Sequence, residues 1–390
     1  MARPTRVIWT FAISSIALFM AALDNLVVTT ALPVIRASFQ ANLAELEWIV
    51  NAYTLTFAVL LLTGAALGDR FGRKRVFILG IAVFTIGSAM AALSSDVTQL
   101  IVARAIQGLG GAIITPLSLT ILSAAVPRER RAVALGAWGG IAGLAIAIGP
   151  VVGGAIAEGL EWQWIFWLNV PIGILMIPMA AARLTETRGP SRRLDLPGLG
   201  LVSGGLLAVV WGLVRANEQG WTSTEILSSF GIGAVLLAIF VAWEARSAEP
   251  MLPLRLFGSR TFTAANIVSL LMSFGMFGSI FLLAQFFQVV QGYSPLEAGV
   301  RTLPWTIMPV FVAPIAGLVS TRSGTRPLLV LGMTLQAIAL AWLSVVSSPT
   351  AEYLTLAPAF VMAGAGMGLF FAPIANVVLS AVRPEEEGKA

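Results

Sequence analysis

Long runs of apolar residues alternate with short polar segments along the whole chain. A transmembrane helix needs about 20 mostly apolar residues, and twelve segments of the sequence reach roughly that length. The pattern predicts an all-helical integral membrane protein that crosses the bilayer twelve times. The approximate bounds of the predicted spans are 8–32, 46–67, 76–94, 98–124, 133–157, 163–182, 197–214, 227–243, 262–290, 297–319, 327–346 and 354–380.

The composition favours a chain whose surface faces lipid and other helices. It is 57% hydrophobic and 11% charged, whereas a soluble globular protein carries about 25% charged residues. Cysteine and histidine are absent from the sequence, which excludes disulfides, Cys/His metal sites and catalysis by either side chain. The net charge of +5 comes from cations in short loops between apolar spans, so no nucleic-acid partner is expected.

Most of the 24 Lys and Arg residues fall in loops that share one side of the predicted membrane protein. Cytoplasmic loops of membrane proteins are enriched in these two residues. The distribution predicts a cytoplasmic N-terminus. Abundant Arg, Ala and Gly are typical of a GC-rich bacterial genome, and we therefore expect a multi-pass protein of the bacterial cytoplasmic (inner or plasma) membrane.

The densest cluster of charge lies between the second and third spans, in the stretch Gly64–Arg75 (GAALGDRFGRKR). Gly68 and Gly72 let the backbone turn sharply between two helices. The stretch either sets the topology and does nothing more, or it forms a gate at the cytoplasmic surface. The gate interpretation assigns roles to Asp69, Arg70, Gly72, Arg73 and Lys74.

Part of this loop recurs later in the chain. The segment Gly317–Pro327 (GLVSTRSGTRP) aligns with residues 65–75, and Thr321 takes the place of Asp69. A second match relates the sequence LSAAVPRE, which ends at Glu129, to LSAVRPEE, which ends at Glu386. Spans 2–4 therefore correspond to spans 10–12, as in transporters built from parallel repeats.

The repeat predicts three segments. Residues 1–185 form an N-terminal six-helix bundle, and residues 186–260 form a basic linker followed by two inserted helices. Residues 261–390 form four of the six helices of a C-terminal bundle. On this interpretation two more helices would follow Ala390, the full protein would have fourteen, and the sequence would be truncated at its C-terminus; the alternative is a natural end at Ala390.

Two charged residues lie well inside predicted spans, namely Asp24 in the first and Arg104 in the fourth. Charges in lipid are costly and mark functional sites by default. We expect Asp24 and Arg104 to pair, with Gln107 sharing their hydrogen bonds, and protonation of Asp24 to free the fourth span to move. The alternatives are a structural carboxylate at Asp24 and an Arg104 side chain that reaches the outer interface.

The fifth span is rich in glycine and contains Pro150. Small residues allow helices to approach closely in lipid, and proline kinks a helix. The pattern predicts either a pliable functional helix or ordinary glycine-mediated packing. The candidate residues are Gly149, Pro150, Gly153 and Gly154.

Apolar and amide side chains on the ninth and tenth spans are candidates for a substrate cavity. The same side chains would also suit contact with lipid or with neighbouring helices, and nothing in them identifies a compound. The candidates are Phe277, Phe281, Gln285 and Trp305.

Taken together, the motifs resemble the fourteen-helix branch of the major facilitator superfamily, the drug:proton antiporters. They appear in the family order and cover the whole chain. They are LDNLVVTTALP (Leu23–Pro33), the Gly64–Arg75 stretch, RAIQGLGGA (Arg104–Ala112), GPVVGG (Gly149–Gly154) and WQWIFWLNVPIG (Trp162–Gly173). The resemblance implies two six-helix bundles with an inserted helix pair.

The resemblance also implies roles for single residues. Asp24 would bind the proton or a cationic substrate, and the GPVVGG sequence would mark an antiporter rather than a symporter. Asp69 would dock at the N-terminus of a helix in the other half, where the helix dipole favours an anion, with Arg70 and Arg73 forming salt bridges around it. That helix would lie beyond Ala390.

We therefore expect a monomeric secondary transporter in the lipid bilayer that exports amphipathic drugs or toxic small molecules in exchange for protons. It would need no cofactor, because the proton gradient supplies the energy. The alternatives are an exporter or uptake carrier of a specific metabolite, such as a sugar, a siderophore or a self-made antibiotic, and a non-functional fragment. An enzyme is disfavoured because clustered polar catalysts are missing from the spans, and a primary pump because no nucleotide-binding loop is present.

Overall fold

A computed structural model of the protein describes residues 4–189, 195–247, 250 and 252–380. Within these residues, 12 helices are long and apolar enough to cross a membrane. They coincide with the twelve predicted spans, and the prediction of an all-helical, multi-pass membrane protein is confirmed. The part of the predicted repeat at 381–386 and the centre of the basic linker at 190–194 lie outside the described residues.

The first six spans consist of seven helices, because the sixth span is broken near its start. They are α1 (Pro4–Phe39), α2 (Leu43–Phe71), α3 (Arg73–Ala92), α4 (Val97–Ala125), α5 (Arg128–Gly159), α6 (Trp164–Trp167) and α7 (Asn169–Arg183).

The remaining spans are formed by six α-helices. A 3₁₀ turn at Leu254–Gly258 precedes the ninth span, and a π-helical turn at Phe286–Val290 forms its end. The helices are α8 (Leu196–Gln219), α9 (Thr224–Glu244), α10 (Arg260–Gln285), α11 (Pro295–Ser323), α12 (Thr325–Val346) and α13 (Tyr353–Ser380).

Two glycines join helices that the predicted repeat aligns with each other. Gly72 lies between α2 and α3 with φ at +109°, and Gly324 lies between α11 and α12 with φ at +79°. A side chain is strained at such positive φ values, whereas glycine is not. The second loop thus keeps the turn of the first, although it lacks the acidic residue. We refer to the end of the bundle marked by Phe71–Arg75 as the basic end.

The apolar side chains form separate cores in the two halves of the chain. Helices α1–α7 bury two clusters, around Phe166 and around Phe84. Helices α10–α13 bury a third around Trp305 and Phe360. Helices α8 and α9 pack mainly against each other, and α8 also touches α2. The two halves meet where α5 crosses α11 and where α1 meets α10.

The end opposite to the basic end, which we call the far end, is marked by Glu158 and Pro295. Here the last turns of α5 lie against the first turns of α11. The Glu158 carboxylate accepts a hydrogen bond from the backbone N–H of Leu296 at 3.1 Å. An anion is favoured at that position because the first N–H groups of a helix have no partner within the helix.

Candidate functional site

Asp24 and Arg104 form an ion pair inside the N-terminal half. Asp24 on α1 is 2% exposed, and Arg104 on α4 is fully buried. One guanidinium nitrogen, Nη1, donates to Asp24 Oδ2 and also to Gln107 Oε1, the latter at 2.8 Å. The structure therefore brings together the three residues that the sequence analysis assigned to proton coupling.

Two amides donate to the other oxygen of the same carboxylate. Gln107 Nε2 lies 3.1 Å from Asp24 Oδ1, and Asn169 Nδ2 lies 2.8 Å from it. Gln107 Nε2 also contacts the hydroxyl of Ser88 on α3 at 2.6 Å. The two oxygens of the Asp24 carboxylate therefore accept hydrogen bonds from three buried side chains.

The Arg104 guanidinium is fixed by groups other than Asp24. Its Nε donates to the backbone carbonyl of Ile49 at 3.3 Å. Its central carbon lies 4.3 Å from the ring centroid of Tyr53 and 5.9 Å from that of Phe166. Cation–π contacts strengthen when both partners are removed from water. With Asp24 on α1, three other helices thus hold the buried cation of α4 in place.

Sequence reasoning missed three members of this site. They are Ser88, Asn169 and Tyr53, which contribute a hydroxyl, an amide and an aromatic ring. Each is a polar or amphipathic residue within an apolar span, which is the one local signal that could have indicated them. No group of three or more Asp, Glu, His or Cys side chains that could hold a metal ion occurs in the described part of the chain.

At the basic end, the Asp69 carboxylate has a partner within its own loop. Arg73 Nε donates to Asp69 Oδ1 at 2.8 Å across the Gly72 turn. Arg70 is exposed, and its guanidinium lies 5.2 Å from the ring centroid of Phe71. Of the two salt bridges expected around Asp69, the structure therefore places the one with Arg73. The described residues do not test the expected docking of Asp69 onto a helix of the other half.

The segment that follows α7 packs under this loop. The Glu186 carboxylate accepts hydrogen bonds from the backbone N–H groups of Lys74 at 3.0 Å and Arg75 at 3.3 Å. These groups belong to the first turn of α3, where an anion is stabilised. Sequence reasoning missed this residue, because a lone acid in a basic linker gives no sign that it contacts a helix N-terminus.

Backbone groups strengthen the same contact. The N–H of Arg73 donates to the carbonyl of Thr187 at 2.9 Å, and the N–H of Gly189 donates to the carbonyl of Asp69 at 3.2 Å. A Cβ atom at Gly189 would collide with the Asp69 carboxylate. The Lys74 ammonium donates to the carbonyl of Ala181. The start of the linker is therefore bound to the α2–α3 turn along its length.

The glycine-rich end of α5 is wedged between α1 and α11. A Cβ atom at Gly149 would lie 2.6 Å from Leu26 Cβ, and one at Gly153 would lie 2.9 Å from Val27 Cα. A Cβ atom at Gly154 would collide with the carbonyl of Pro295 on α11. Glycine is needed at these positions because backbones approach too closely for any side chain.

α11 also has a glycine at its contact with α5. A Cβ atom at Gly299 would collide with the carbonyl of Pro150 on α5. Further along the same helix, the hydroxyl of Thr306 donates to the backbone carbonyl of Ala147 at 2.9 Å. The crossing of α5 and α11 is therefore tight from the far end to the middle of both helices.

A small cavity lies beside this crossing, between α1, α5, α10 and α11. Its wall is mostly apolar. Trp305 lines the cavity and is 1% exposed. Phe277 is 47% exposed at the surface, and Phe281 packs against the N-terminal core. Of the four cavity candidates, Trp305 alone lines this cavity in the described chain. The polar lining residues are Thr30, Gln288, Thr302 and Thr306.

Comparison with known proteins agrees with this architecture. The family model described as Major Facilitator Superfamily matches residues 14–390. The tetracenomycin C resistance and export protein of Streptomyces glaucescens is 34% identical over 378 residues, which is 96% of this chain and 70% of that protein. The multidrug resistance protein Stp of Mycobacterium tuberculosis is 33% identical over 383 residues, which is 98% of this chain and 71% of that protein.

Solved structures of transporters share the fold. A bacterial homologue of the human lysosomal transporter Spinster, inward-facing and unoccupied, superposes with a TM-score of 0.66 at 17% identity, covering 99% of this chain and 78% of that one. A transporter of the POT family in complex with a thioalcohol-conjugated peptide gives a TM-score of 0.70 at 14% identity, covering 97% and 85%. The protein is therefore a membrane-spanning transporter, not an enzyme, and belongs to the Major Facilitator Superfamily.

Proposed function

We propose that this transporter exports amphipathic drugs or toxic small molecules in exchange for protons, as a monomer of the fourteen-helix drug:proton antiporter branch. The single observation that carries the proposal is the buried Asp24–Arg104 pair. Asp24 is an acid at bilayer depth that is fully hydrogen-bonded within the protein, and such a group is a proton-relay candidate. The names of the relatives, which refer to resistance and export, support the direction of transport and the class of substrate.

Proton binding changes this site in a defined way. A proton on Asp24 removes the negative charge that faces Arg104 and turns one acceptor oxygen into a donor. Arg104 remains charged, because a guanidinium does not lose its proton in a protein. A buried charge without its partner is strongly destabilising. Helices α1 and α4 then separate or rotate until Arg104 finds other acceptors or water, and this motion drives alternating access.

We also propose which side of the membrane each end faces. The basic end and the N-terminus are cytoplasmic, because Lys and Arg favour that side. The far end is closed by the contacts of α5 with α11, so the described conformation is closed towards the outside. The segments 1–185, 186–260 and 261–390 act as the N-terminal bundle, the linker with its inserted pair, and the C-terminal bundle. The turns at Gly72 and Gly324 support this assignment.

The test is transport by the purified chain in proteoliposomes under an imposed pH gradient, with ethidium as the amphipathic cation. We expect the gradient to drive ethidium movement for the native protein. Asp24→Asn should abolish the gradient-driven part and spare the exchange of ethidium between the two sides. The matched control is Asp96→Asn, because Asp96 caps α4 at the surface and Asn caps a helix equally well. If the pH gradient drove ethidium transport by Asp24→Asn as strongly as by the native protein, proton coupling at this site would be refuted.

A second candidate is export of one specific metabolite, such as an antibiotic made by the producing cell. The relative named for tetracenomycin C resistance and export favours it. Competition separates the two functions. Structurally unrelated amphipathic compounds should all slow ethidium transport by a multidrug exporter, whereas a specific exporter would respond to one chemical class.

A further inference from the structure

Asn169 stands at the break in the sixth span. It is the first residue of α7, separated from the end of the four-residue helix α6 by Leu168 alone, and it is 1% exposed. Its side-chain amide donates to Asp24 Oδ1 at 2.8 Å, although 145 positions separate the two residues in sequence. Leu168, between the two helices, has helical dihedral angles (φ −54°, ψ −37°), so Phe166 and Asn169 project from adjacent turns of one span.

The same span touches both members of the pair. Phe166 on α6 is fully buried, and its ring faces the Arg104 guanidinium. Asn169, three positions after Phe166, donates a hydrogen bond to the carboxylate of Asp24. A rigid apolar anchor and a polar contact thus come from adjacent turns, and any movement of α1 against α4 must alter at least one of them.

An amide differs from a guanidinium in one respect that matters here. Arg104 can only donate hydrogen bonds, so it cannot accept one from the O–H of protonated Asp24. Asn169 carries both donors and an acceptor oxygen. It can donate to the carboxylate and, after the amide turns over, accept from the carboxylic acid. Because it is neutral, it does so without adding charge to the site.

Resting on the function proposed above, we infer that Asn169 is a positioning residue that sets the pH at which Asp24 exchanges its proton. Arg104 from α4 and the phenol of Tyr53 from α2 are the titratable or charged groups that face Asp24. The other contacts come from neutral Gln107 and, through it, Ser88. In the described part of the chain, the bonds of α5, α10 and α11 bring no charged side chain to Asp24. Among these described contacts, Asn169 is the only donor to Asp24 that does not come from α4.

The test compares two variants that remove the amide, Asn169→Leu and Asn169→Ala, with Asn169→Gln, which keeps it. The control is Asn266→Leu, because the Asn266 amide bonds to the carbonyl of Phe262 at 2.9 Å within α10 and does not touch the site. The readout is the infrared C=O band of the protonated carboxyl group, followed against pH in purified protein. The band of Asp24 is identified by its loss in Asp24→Asn.

The bond of Asn169 to the ionised carboxylate is stronger than its bond to the neutral acid, so loss of the amide disfavours the ionised form more and the midpoint should move to higher pH. One hydrogen bond to a charged group corresponds to about one pH unit. The Leu and Ala variants should both show this shift, together with an equal shift in the pH profile of gradient-driven transport. The Gln variant and Asn266→Leu should stay near the native midpoint. Gel filtration shows which of the two amide-free variants is folded, and the midpoint of that variant tests the inference.

If a folded amide-free variant kept the native pH midpoint of the Asp24 infrared band, the inference would be overturned. The infrared readout needs no transport, so it separates this failure from failure of the proposed function. If Asp24→Asn retained full proton-driven transport, the proposed function would fail even with an Asn169-dependent band. If Asp24→Asn lost it and the band ignored Asn169, only the present inference would fail.

Discussion

The side-chain amide of Gln288 donates a hydrogen bond to the backbone carbonyl of Thr30 at 2.8 Å. Gln288 lies in the π-helical turn after α10, and Thr30 lies on α1, so the bond joins the second half of the chain to the first. The bonds of Glu158 to Leu296 and of Thr306 to Ala147 also cross between the halves. Each of the three ends on a backbone atom, and the closure therefore depends on helix position more than on matched side chains.

Replacing Gln288 with Leu should open the far end. Leucine is similar in size to glutamine but cannot form the hydrogen bond to Thr30. Loss of this bond costs about 1 kcal/mol, which changes a two-state equilibrium constant about fivefold. Because the sequence has no cysteine, a Thr302→Cys substitution in the cavity wall provides a unique reporter. A membrane-impermeant maleimide added from the far side should label it about fivefold faster.

The matched control for this change is Gln291→Leu. The Gln291 amide donates to the carbonyl of Ala351 at 2.9 Å, a bond of the same kind that stays within the second half. It should leave labelling of the cysteine at position 302 unchanged. Equal acceleration by both variants would show that the bond to Thr30 has no special part in closure.

Adding a side chain at Gly154 should also destabilise the closed far end. In Gly154→Val the new atoms collide with the carbonyl of Pro295, and overpacking of this kind costs about 1–3 kcal/mol. Labelling at position 302 should rise by about fivefold or more. Gly143→Val is the control on the same helix, because a Cβ atom there meets nothing within 4 Å. Labelling that does not distinguish the two valines would contradict the tight crossing of α5 and α11.

Removing the Glu186 carboxylate should release the linker from the basic end. A lost capping bond costs about 0.5–2 kcal/mol, and the exposed Arg188 should then be cut faster by trypsin. We expect Glu186→Ala to accelerate cleavage after Arg188, and Glu186→Gln to act less, because it keeps an acceptor oxygen. Mass spectrometry of the fragments measures the rate. The control is Glu161→Ala, at an exposed site of the far end, which trypsin should cleave at the native rate. Cleavage of Glu186→Ala at the native rate would argue against the linker contact.

Loss of one member of the Asp24–Arg104 pair should harm stability more than loss of both. Removing one partner of a buried pair costs about 3–5 kcal/mol, because the other charge is left uncompensated. Asp24→Asn and Arg104→Gln should each lower the Tm of the detergent-solubilised protein. The double variant should unfold at a higher temperature than Arg104→Gln or Asp24→Asn alone. Additive losses in Tm would mean that the two residues are not energetically coupled.

The sequence predicted those features that depend on local length or on an unavoidable cost. Twelve spans could be found because apolar length is a local property of the chain. The approach of Asp24 to Arg104 could be expected because a charge in lipid requires a partner, and the first half offers one candidate of each sign. Both arguments hold without knowledge of how the helices pack.

Features that depend on packing could not be predicted. A neutral amide such as Asn169 makes no comparable demand for a partner, and its contact with Asp24 comes from a distant span. Glu186 binds backbone N–H groups, which every sequence contains. An aromatic residue such as Phe277 fits the same pattern whether it faces a cavity or the lipid, and only the arrangement of the helices separates the two.

On the proposed function, the Asp24–Arg104 pair would also make the transporter respond to membrane voltage. With Asp24 ionised the pair carries no net charge, and with Asp24 protonated it carries one positive charge. The membrane potential contributes about 2.3 kcal/mol per elementary charge per 100 mV. If this pair shifts along the membrane normal during the cycle, voltage acts on the proton-loaded step and leaves the unloaded step almost untouched. The electrical gradient would then set the rate of one half of the cycle only, and a neutral cargo would still be moved by an electrogenic exchange.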